Sequence, residues 1–311
     1  MNDDWQRANP LAIDRALHKA LRKPDGGWFA VDASRTLQRL SKPRGYVIDD
    51  REVVVWKERE HTIRMAPGSC PHMGASLAEA TVQQGCLVCP WHGRVLDPQA
   101  GAVGWKPFQT FDDGVFTWVQ FDSDSEGATD HPIIAKRPDV FLDGVVRREA
   151  CCEPRDILAN RLDPWHGTHF HPYAFSRLEV TDHNDDELHL RVAYRVVRGF
   201  DVEVSARFDC PGPRTIVMTI TDGEGTGSVV ETHATPVYSA RPASGRTGGD
   251  TSPRTAIIEA TLATSDRNGF AHAHLAAAMT RPLIKLLAGR LWRDDARYAE
   301  RLYQIRARAS L

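Results

Sequence analysis

Two matched loops constrain this chain more than any other feature. "SCPHMGASL" runs from Ser69 to Leu77, and "CPWHGRVLD" runs from Cys89 to Asp97. Each loop offers one thiolate and one imidazole: Cys70 with His72, and Cys89 with His92. Each has a proline directly after its cysteine and a glycine shortly after its histidine. The turns are therefore stiff, yet they allow positive φ where backbone must come close to a ligand. Two chemistries use two Cys and two His. One is tetrahedral zinc; the other is a 2Fe–2S cluster in which two His replace two Cys on one iron. The spacing favours the cluster, because a single residue separates Cys70 from His72, whereas zinc fingers space a ligand pair by about two or more. One Cys and one His from each side lets two loops grip a two-iron core, with both thiolates on one iron and both imidazoles on the other.

The surrounding sequence reads as a small antiparallel β domain. From Trp28 to Phe121, short runs ("WFAVD", "YVID", "VVVWKE", "TIRMA", "CLVCP", "VFTWVQF") alternate with Gly, Pro and Asp. The stretch 28–121 resembles a Rieske domain throughout, from "GGWFAVDAS" to "VFTWVQF", with "CPHMGASL" and "CPWHGRVLD" as its signature. The resemblance implies that Cys70, His72, Cys89 and His92 ligate a 2Fe–2S cluster. Ahead of it, "PLAIDRALHKALRK" has roughly helical apolar spacing and Pro10 suits a first turn, so residues 1–27 are expected to form a helical segment. Polar "DSDSEGATD" marks a linker over 122–134.

Residues 135–311 are mixed. "EPRDILANRLDPWHGTHFH" reads as helical. Strand-like runs follow ("LHLRVAYRVV", "DVEVSARFDC", "TIVMTITD", "SVVETHATPVYS", "TAIIEATLATS"), and from about His272 the chain reads as helical again. Strands bracketed by helices predict an α+β domain with an antiparallel sheet. "SARPASGRTGGDTSPR", residues 239–254, predicts a long loop between two strands. "HLAAAMTRPLIKLLAGRLW" is expected to form a core-facing helix pair broken at Pro282, with peripheral membrane contact as the alternative.

"NRLDPWHGTHFHPYAF", from Asn160 to Phe175, places Asp163, His166, His169 and His171 within one short stretch. It resembles the N-x-x-D-x-x-H-x-x-x-x-H motif of Rieske non-haem iron oxygenases at Asn160, Asp163, His166 and His171. The resemblance implies a helix-grip catalytic domain. It also implies a mononuclear Fe(II) held by His166, His171 and a carboxylate from a late helix, with positions left open for dioxygen. In "LWRDDARYAERL" the choice is Asp295, with Asp294 as the alternative. His166 and His171 are five apart, about 140° around an ideal helix, so their convergence requires a distortion. His169, three from His166, is the alternative ligand. Asp163 is implied to link a mononuclear-site His to a cluster-ligand His, usually across a subunit boundary of a trimer. Asn160 is either structural or near the iron.

The resemblance further implies a terminal oxygenase fed by an NAD(P)H-dependent reductase, with or without a ferredoxin between them. As a mono- or dioxygenase it would use O2 to hydroxylate an apolar organic substrate, an isoprenoid, carotenoid or steroid ahead of a small aromatic acid, with dihydroxylation, desaturation or demethylation as the alternative outcomes. No Gly-rich dinucleotide fingerprint is present, which assigns NAD(P)H and flavin to the partner. Two rival classes are a Rieske electron carrier fused to a lipid-binding helix-grip module without mononuclear iron, and a zinc-stapled interaction protein.

Composition sets the remaining bounds. A chain of 311 residues accommodates two domains, and a net charge of -2 gives no reason to expect a nucleic-acid partner. No run of apolar residues is long enough for a transmembrane helix, and the charged N-terminal stretch lacks the apolar core of a signal peptide, so a cytoplasmic location is expected. Cys86, Cys151, Cys152 and Cys210 are expected to be small buried side chains, and His233 a satisfied core histidine.

Overall fold

In a computed structural model, residues 8–58, 62–121, 127–197, 200–239, 252–270, 272 and 277–309 are described. The chain divides into two compact units. One comprises Asp25–Ile133 with Thr235–Pro253; the other comprises Met1–Pro24, Ile134–Ala234 and Arg254–Leu311.

The first unit is built from three small antiparallel sheets. β1 (Trp28–Ala33), β9 (Phe116–Gln120) and β8 (Gln109–Asp112) form one, in that order. β2 (Arg44–Ile48), β3 (Arg51–Lys57) and β4 (Ile63–Pro67) form the second. β5 (Thr81–Gln83), β6 (Cys86–Val88) and β7 (Val95–Leu96) form the third; the Cys89–His92 loop joins β6 to β7, and the Cys70–His72 loop lies between β4 and β5. The short strands Thr81–Gln83, Val95–Leu96 and Gln109–Asp112 escape a reading by hydrophobic alternation. β3 is apolar on both faces, and the sheets pack two cores around it. Val54, Trp56, Leu77, Leu87, Leu96 and Trp105 fill one core together with Cys70 and Cys89. Val31, Leu37, Ile48, Val53, Val55 and Met65 fill the other.

Of the expected linker, residues 122–126 lie outside the described residues. Thr129 is fastened to the first unit: its backbone N–H donates to Gly26 O, and its carbonyl accepts from Trp28 Nε1 at 2.9 Å.

The second unit is a seven-stranded sheet with helices, apart from Thr235–Tyr238 at the end of β15, which belong to the first unit. β10 (Leu142–Ala150), β11 (Phe175–His183), β12 (Glu187–Val197), β13 (Phe200–Gly212), β14 (Thr215–Gly223), β15 (Val229–Tyr238) and β16 (Arg254–Ala263) lie in the order β10-β16-β15-β14-β13-β12-β11. From β11 to β15 each strand pairs antiparallel with the next. β10 and β11 were not legible, since "LDGVVRREA" and "FSRLEVTDH" are heavily charged. The expected loop between β15 and β16 falls at 240–251, outside the described residues.

α1 (Pro10–Ala20) starts at an Asn9 cap, whose side chain accepts from the Ala12 N–H, and at Pro10, whose missing N–H costs nothing in a first turn. It buries Leu17 and Ala20 in the core of the second unit.

The late helix departs from expectation. Instead of a pair broken at Pro282, one continuous helix, Ala277–Ala309, contains that proline. Pro282 falls in the second turn, where only the carbonyl four residues earlier loses its partner. Its apolar residues do not all face the core either. Ile284 packs toward Gly144 of β10, and Ala288, Trp292, Asp295, Ala296 and Ala299 are buried, but Met279, Leu283, Leu286 and Leu287 are exposed. The helical period places these two sets on opposite sides.

Cys152 and Cys210 are buried as expected, whereas Cys86 is half-buried and Cys151 is exposed. Both Cys151 and Cys152 lie in the bend that follows β10, which turns only Cys152 into the core. His233 is buried between Glu231 (2.9 Å) and Thr215 (2.9 Å).

Candidate metal centres

The two cysteine–histidine loops fold alike. Cys70 N–H donates to Ala75 O and Gly74 N–H to Cys70 O; Cys89 N–H donates to Arg94 O and Gly93 N–H to Cys89 O. Gly74 (φ 78°) and Gly93 (φ 67°) occupy the left-handed region that closes each turn. The result is a sorted set of side chains. Cys70 and Cys89 are buried together, with their thiols within hydrogen-bonding reach, while the His72 and His92 rings lie 4.8 Å apart and exposed. Thiols paired with each other and imidazoles paired with each other match the demand of a cluster with two unlike irons. Burial works against ionising Cys89, but the backbone N–H groups of Trp91 and His92, the Cys70 thiol and Arg94 together bring its pKa below the usual thiol value.

In the second unit the segment read as one helix is divided by two prolines. Helix α2 of this unit's site region, Pro154–Arg161, opens on a capping box between Glu153 and Asp156, and Asp156 is held by Arg306 of the late helix at 2.8 Å. It ends before Pro164. A helical Pro164 would clash with the carbonyl four residues back, and proline also drives its predecessor out of the α region; Asp163 accordingly sits at φ -106°, ψ 83°. A 3₁₀ turn, Pro164–His166, and one α turn, Gly167–Phe170, follow. Pro172 then excludes helical backbone at His171, which lies at φ -123°, ψ 54°. These breaks supply the distortion that brings His166 and His171 to one point.

The late helix supplies Asp295. Its Oδ1 lies 2.7 Å from His171 Nε2 and 3.2 Å from His166 Nε2. One ligand atom from each of these three residues falls within 4.8 Å of the others. Both histidines thus present Nε2 to a single carboxylate in a mostly buried setting, a donor set that fits an iron with open positions. Asp295 would be raised by burial, but His166 and His171 hold it well below the usual carboxylate range. Burial lowers His166, yet Asp163 and Asp295 beside it more than offset this and raise it to about 9.

The other expected residues surround this group. Asn160 is fully buried and donates from Nδ2 to Asp295 Oδ1 at 3.2 Å. Asp163 Oδ2 stands 3.8 Å from His166 Nδ1, in ion-pair range, and Asp163 Oδ1 is buried without a hydrogen-bond partner. Asp294 lies outside the three-residue group, accepting from Tyr173 at 2.6 Å with its Oδ2 4.0 Å from His171 Nδ1, and His169 is exposed outside the group as well.

Two tyrosines were missed. Tyr298 donates to Asp163 Oδ2 at 2.6 Å and stacks on His166 at 5.0 Å, and the Tyr173 hydroxyl lies 3.4 Å from His171 Nδ1. The available signals were weak: Tyr298 is three residues past Asp295 and shares its helix face, and Tyr173 is two past His171.

The geometry agrees with what comparison with known proteins finds. Residues 27–113 match the Rieske [2Fe-2S] domain, and residues 123–310, more than half of the chain, match the family described as a domain of unknown function, DUF5914. The chain belongs to that family and carries a Rieske [2Fe–2S] domain ahead of it. Aminopyrrolnitrin oxygenase PrnD of Pseudomonas fluorescens is 27% identical over 103 residues, 30% of this chain and 28% of that protein. Protein TIC 55, chloroplastic, of Arabidopsis thaliana is 27% identical over 195 residues, 56% of this chain and 35% of that protein. The chain thus spans about a third of the length of these curated relatives.

Among solved structures, dicamba monooxygenase bound to dicamba is similar with a TM-score of 0.64 at 16% identity, covering 92% of this chain and 89% of that one. A mutant of NdmA from Pseudomonas putida CBB5 with caffeine has a TM-score of 0.55 at 16% identity, covering 86% and 83%. The fold is therefore that of the Rieske oxygenases. Among the described residues no helix is long and apolar enough to cross a membrane.

Proposed function

We propose that the chain is the terminal component of a Rieske-type oxygenase, an oxidoreductase in which His166, His171 and Asp295 hold a mononuclear Fe(II) and Cys70, His72, Cys89 and His92 hold the cluster. The observation that carries this reading is the convergence of two Nε2 atoms on Asp295 Oδ1. When bound, the iron supplies the place where dioxygen is reduced, and the cluster supplies electrons singly.

The protein's own residues do the rest. Asp295 contributes the negative charge that favours a divalent cation. Asp163, fixed by Tyr298, orients His166 and is the link for electrons arriving from a cluster-ligand histidine. Tyr173, fixed by Asp294, backs the outer nitrogen of His171. Phe170, Phe175 and Tyr298 pack their rings around the two histidines and limit access of water.

The wider setting follows from the same reading. A separate NAD(P)H-dependent reductase, directly or through a ferredoxin, reduces the cluster in the cytoplasm. A homotrimer brings the cluster of one chain to the Asp163 of the next. With iron held by His166, His171 and Asp295, O2 and an apolar organic substrate would be brought together there, with hydroxylation as the expected outcome.

The test is iron retention. His171→Ala and Asp295→Ala should each lose the mononuclear iron while the reduced-cluster EPR signal stays intact. Retention of that iron and of turnover in both variants contradicts the assignment. A wild-type chain that never takes up a third iron favours the electron-carrier alternative.

A further inference from the structure

Beside the three metal-site residues lies a partly covered apolar wall. Phe175, Tyr194, Val202 and Ile220 pack on the buried core of the second unit without being fully enclosed. The wall begins at the metal site, because the Phe175 ring is 6.2 Å from His171 and 5.4 Å from Tyr194.

Arg161 brings a cation against this core. The guanidinium of Arg161 stands 5.5 Å from the Phe208 ring and 5.7 Å from the Trp292 ring, with its side chain 19% exposed. It sits at the junction of the two elements that build the metal site. Arg161 follows Asn160, which donates to Asp295, and Trp292 precedes Asp295 by three residues on the late helix.

The hydrogen bonding of Arg161 is incomplete. Its nearest carboxylate, Glu259, is 3.8 Å away, too far for a hydrogen bond. Its Nε is buried with no partner. Glu259 is served by other donors, accepting from Thr232 Oγ1 at 2.7 Å and from Trp292. A structural ion pair would place the guanidinium on that carboxylate at hydrogen-bonding distance, and this one does not. Guanidinium remains charged throughout the working pH range, and buried N–H groups without acceptors are costly. The group that best satisfies a planar fork of donors is a carboxylate, held by two parallel bonds.

Resting on the oxygenase reading, we infer that Arg161 is the anchor for the acid group of the substrate, which is an apolar molecule bearing one carboxylate. The carboxylate accepts from the unpartnered Nε and the adjoining edge of the Arg161 fork, and the apolar body lies along Tyr194 and Phe175 toward His171. Burial pushes the Glu259 carboxyl upward, against the opposing pull of Arg161 and of its Thr232 and Trp292 donors.

The test is equilibrium binding to the loaded, full-length protein, using 1-naphthoate and decanoate against their neutral counterparts 1-naphthamide and decanamide. The acids should bind wild type at least about tenfold more tightly than the amides, the difference expected of a charge-assisted pair. Arg161→Met should abolish that preference. Arg161→Lys, which keeps the charge and loses the fork, should reduce it, and it carries the test if Arg161→Met does not fold. The inference is overturned if neither acid binds wild type, if amides bind as well as acids, or if the variants keep the wild-type preference. Iron and acid-labile sulfide are measured on the same samples. A fully loaded protein without acid preference counts against the anchor alone, whereas a wild type lacking the third iron counts against the oxygenase reading.

Discussion

His171 Nε2 and Asp295 Oδ1 lie 2.7 Å apart, although 124 residues of chain separate them. The contact joins the end of a proline-bracketed turn to the buried face of the late helix, with both side chains nearly excluded from solvent. A carboxylate facing two imidazole Nε2 atoms at such a place is unusual for a core, where buried charge is costly unless paired.

Replacing the carboxylate by its neutral isostere separates charge from shape. Asp295→Asn should fold and keep the cluster, yet bind Fe(II) at least about tenfold more weakly, since losing one anionic ligand removes more than about 1.4 kcal/mol. Metal analysis after dialysis against graded Fe(II) checks this.

Tyr298→Phe keeps a ring over His166 and removes the donor to Asp163 Oδ2. Loss of a hydrogen bond to a buried carboxylate should cost about 1.5–3 kcal/mol of stability. Iron content should be unchanged, while electron transfer from the reduced cluster, followed by stopped-flow absorbance, should slow at least several-fold. An unchanged rate would mean that Asp163 is oriented without Tyr298.

The pH dependence of the chelator-treated protein has a definite sign. His166 is raised from 6.5 to about 9, so its stabilising contribution is full below about pH 6.5 and is lost as pH rises through about 9. Asp295 is depressed, so its contribution is present above the ordinary carboxylate range and is lost at lower pH as Asp295 takes up a proton. Thermal melts of metal-stripped protein should therefore fall between pH 7 and about 9.5, corresponding to a few kcal/mol. Loading with Fe(II), which requires neutral imidazole, should flatten that alkaline loss.

Gly144 in β10 admits the late helix. A Cβ there would overlap Ile284 Cγ2 and lie 2.8 Å from Ile284 Cβ, on a branched side chain close to its backbone. Gly144→Ala should thus destabilise the second unit by about 1–3 kcal/mol, the usual cost of overpacking. Because the same helix carries Asp295, iron affinity should fall as well, and denaturant melts paired with iron titration would show both effects.

How legible this architecture was depended on the range of the interactions involved. Alternation exposed β12 to β16, and the cysteine–histidine loops were legible from local spacing together with their resemblance to a Rieske signature. The distortion between His166 and His171 followed from counting, and the prolines that cause it, Pro164 and Pro172, stand in the same stretch. What stayed hidden depends on tertiary phase. Arg161 stands at a helix end with no motif to single it out, and only the tertiary structure puts Phe208 and Trp292 beside it. Leu283, Leu286 and Leu287 read as core until Ile284 and Ala288 are found to own the inward face. Strand β10 was masked because its charges suit an edge position, which it occupies.

The most direct measurement of the central claim is iron and acid-labile sulfide per chain on anaerobically purified protein, with an EPR spectrum after dithionite reduction. The account predicts about three irons per two sulfides and a Rieske-type signal. About two irons per two sulfides, unchanged when Fe(II) is added back, would contradict it and leave His166, His171 and Asp295 as a structural cluster.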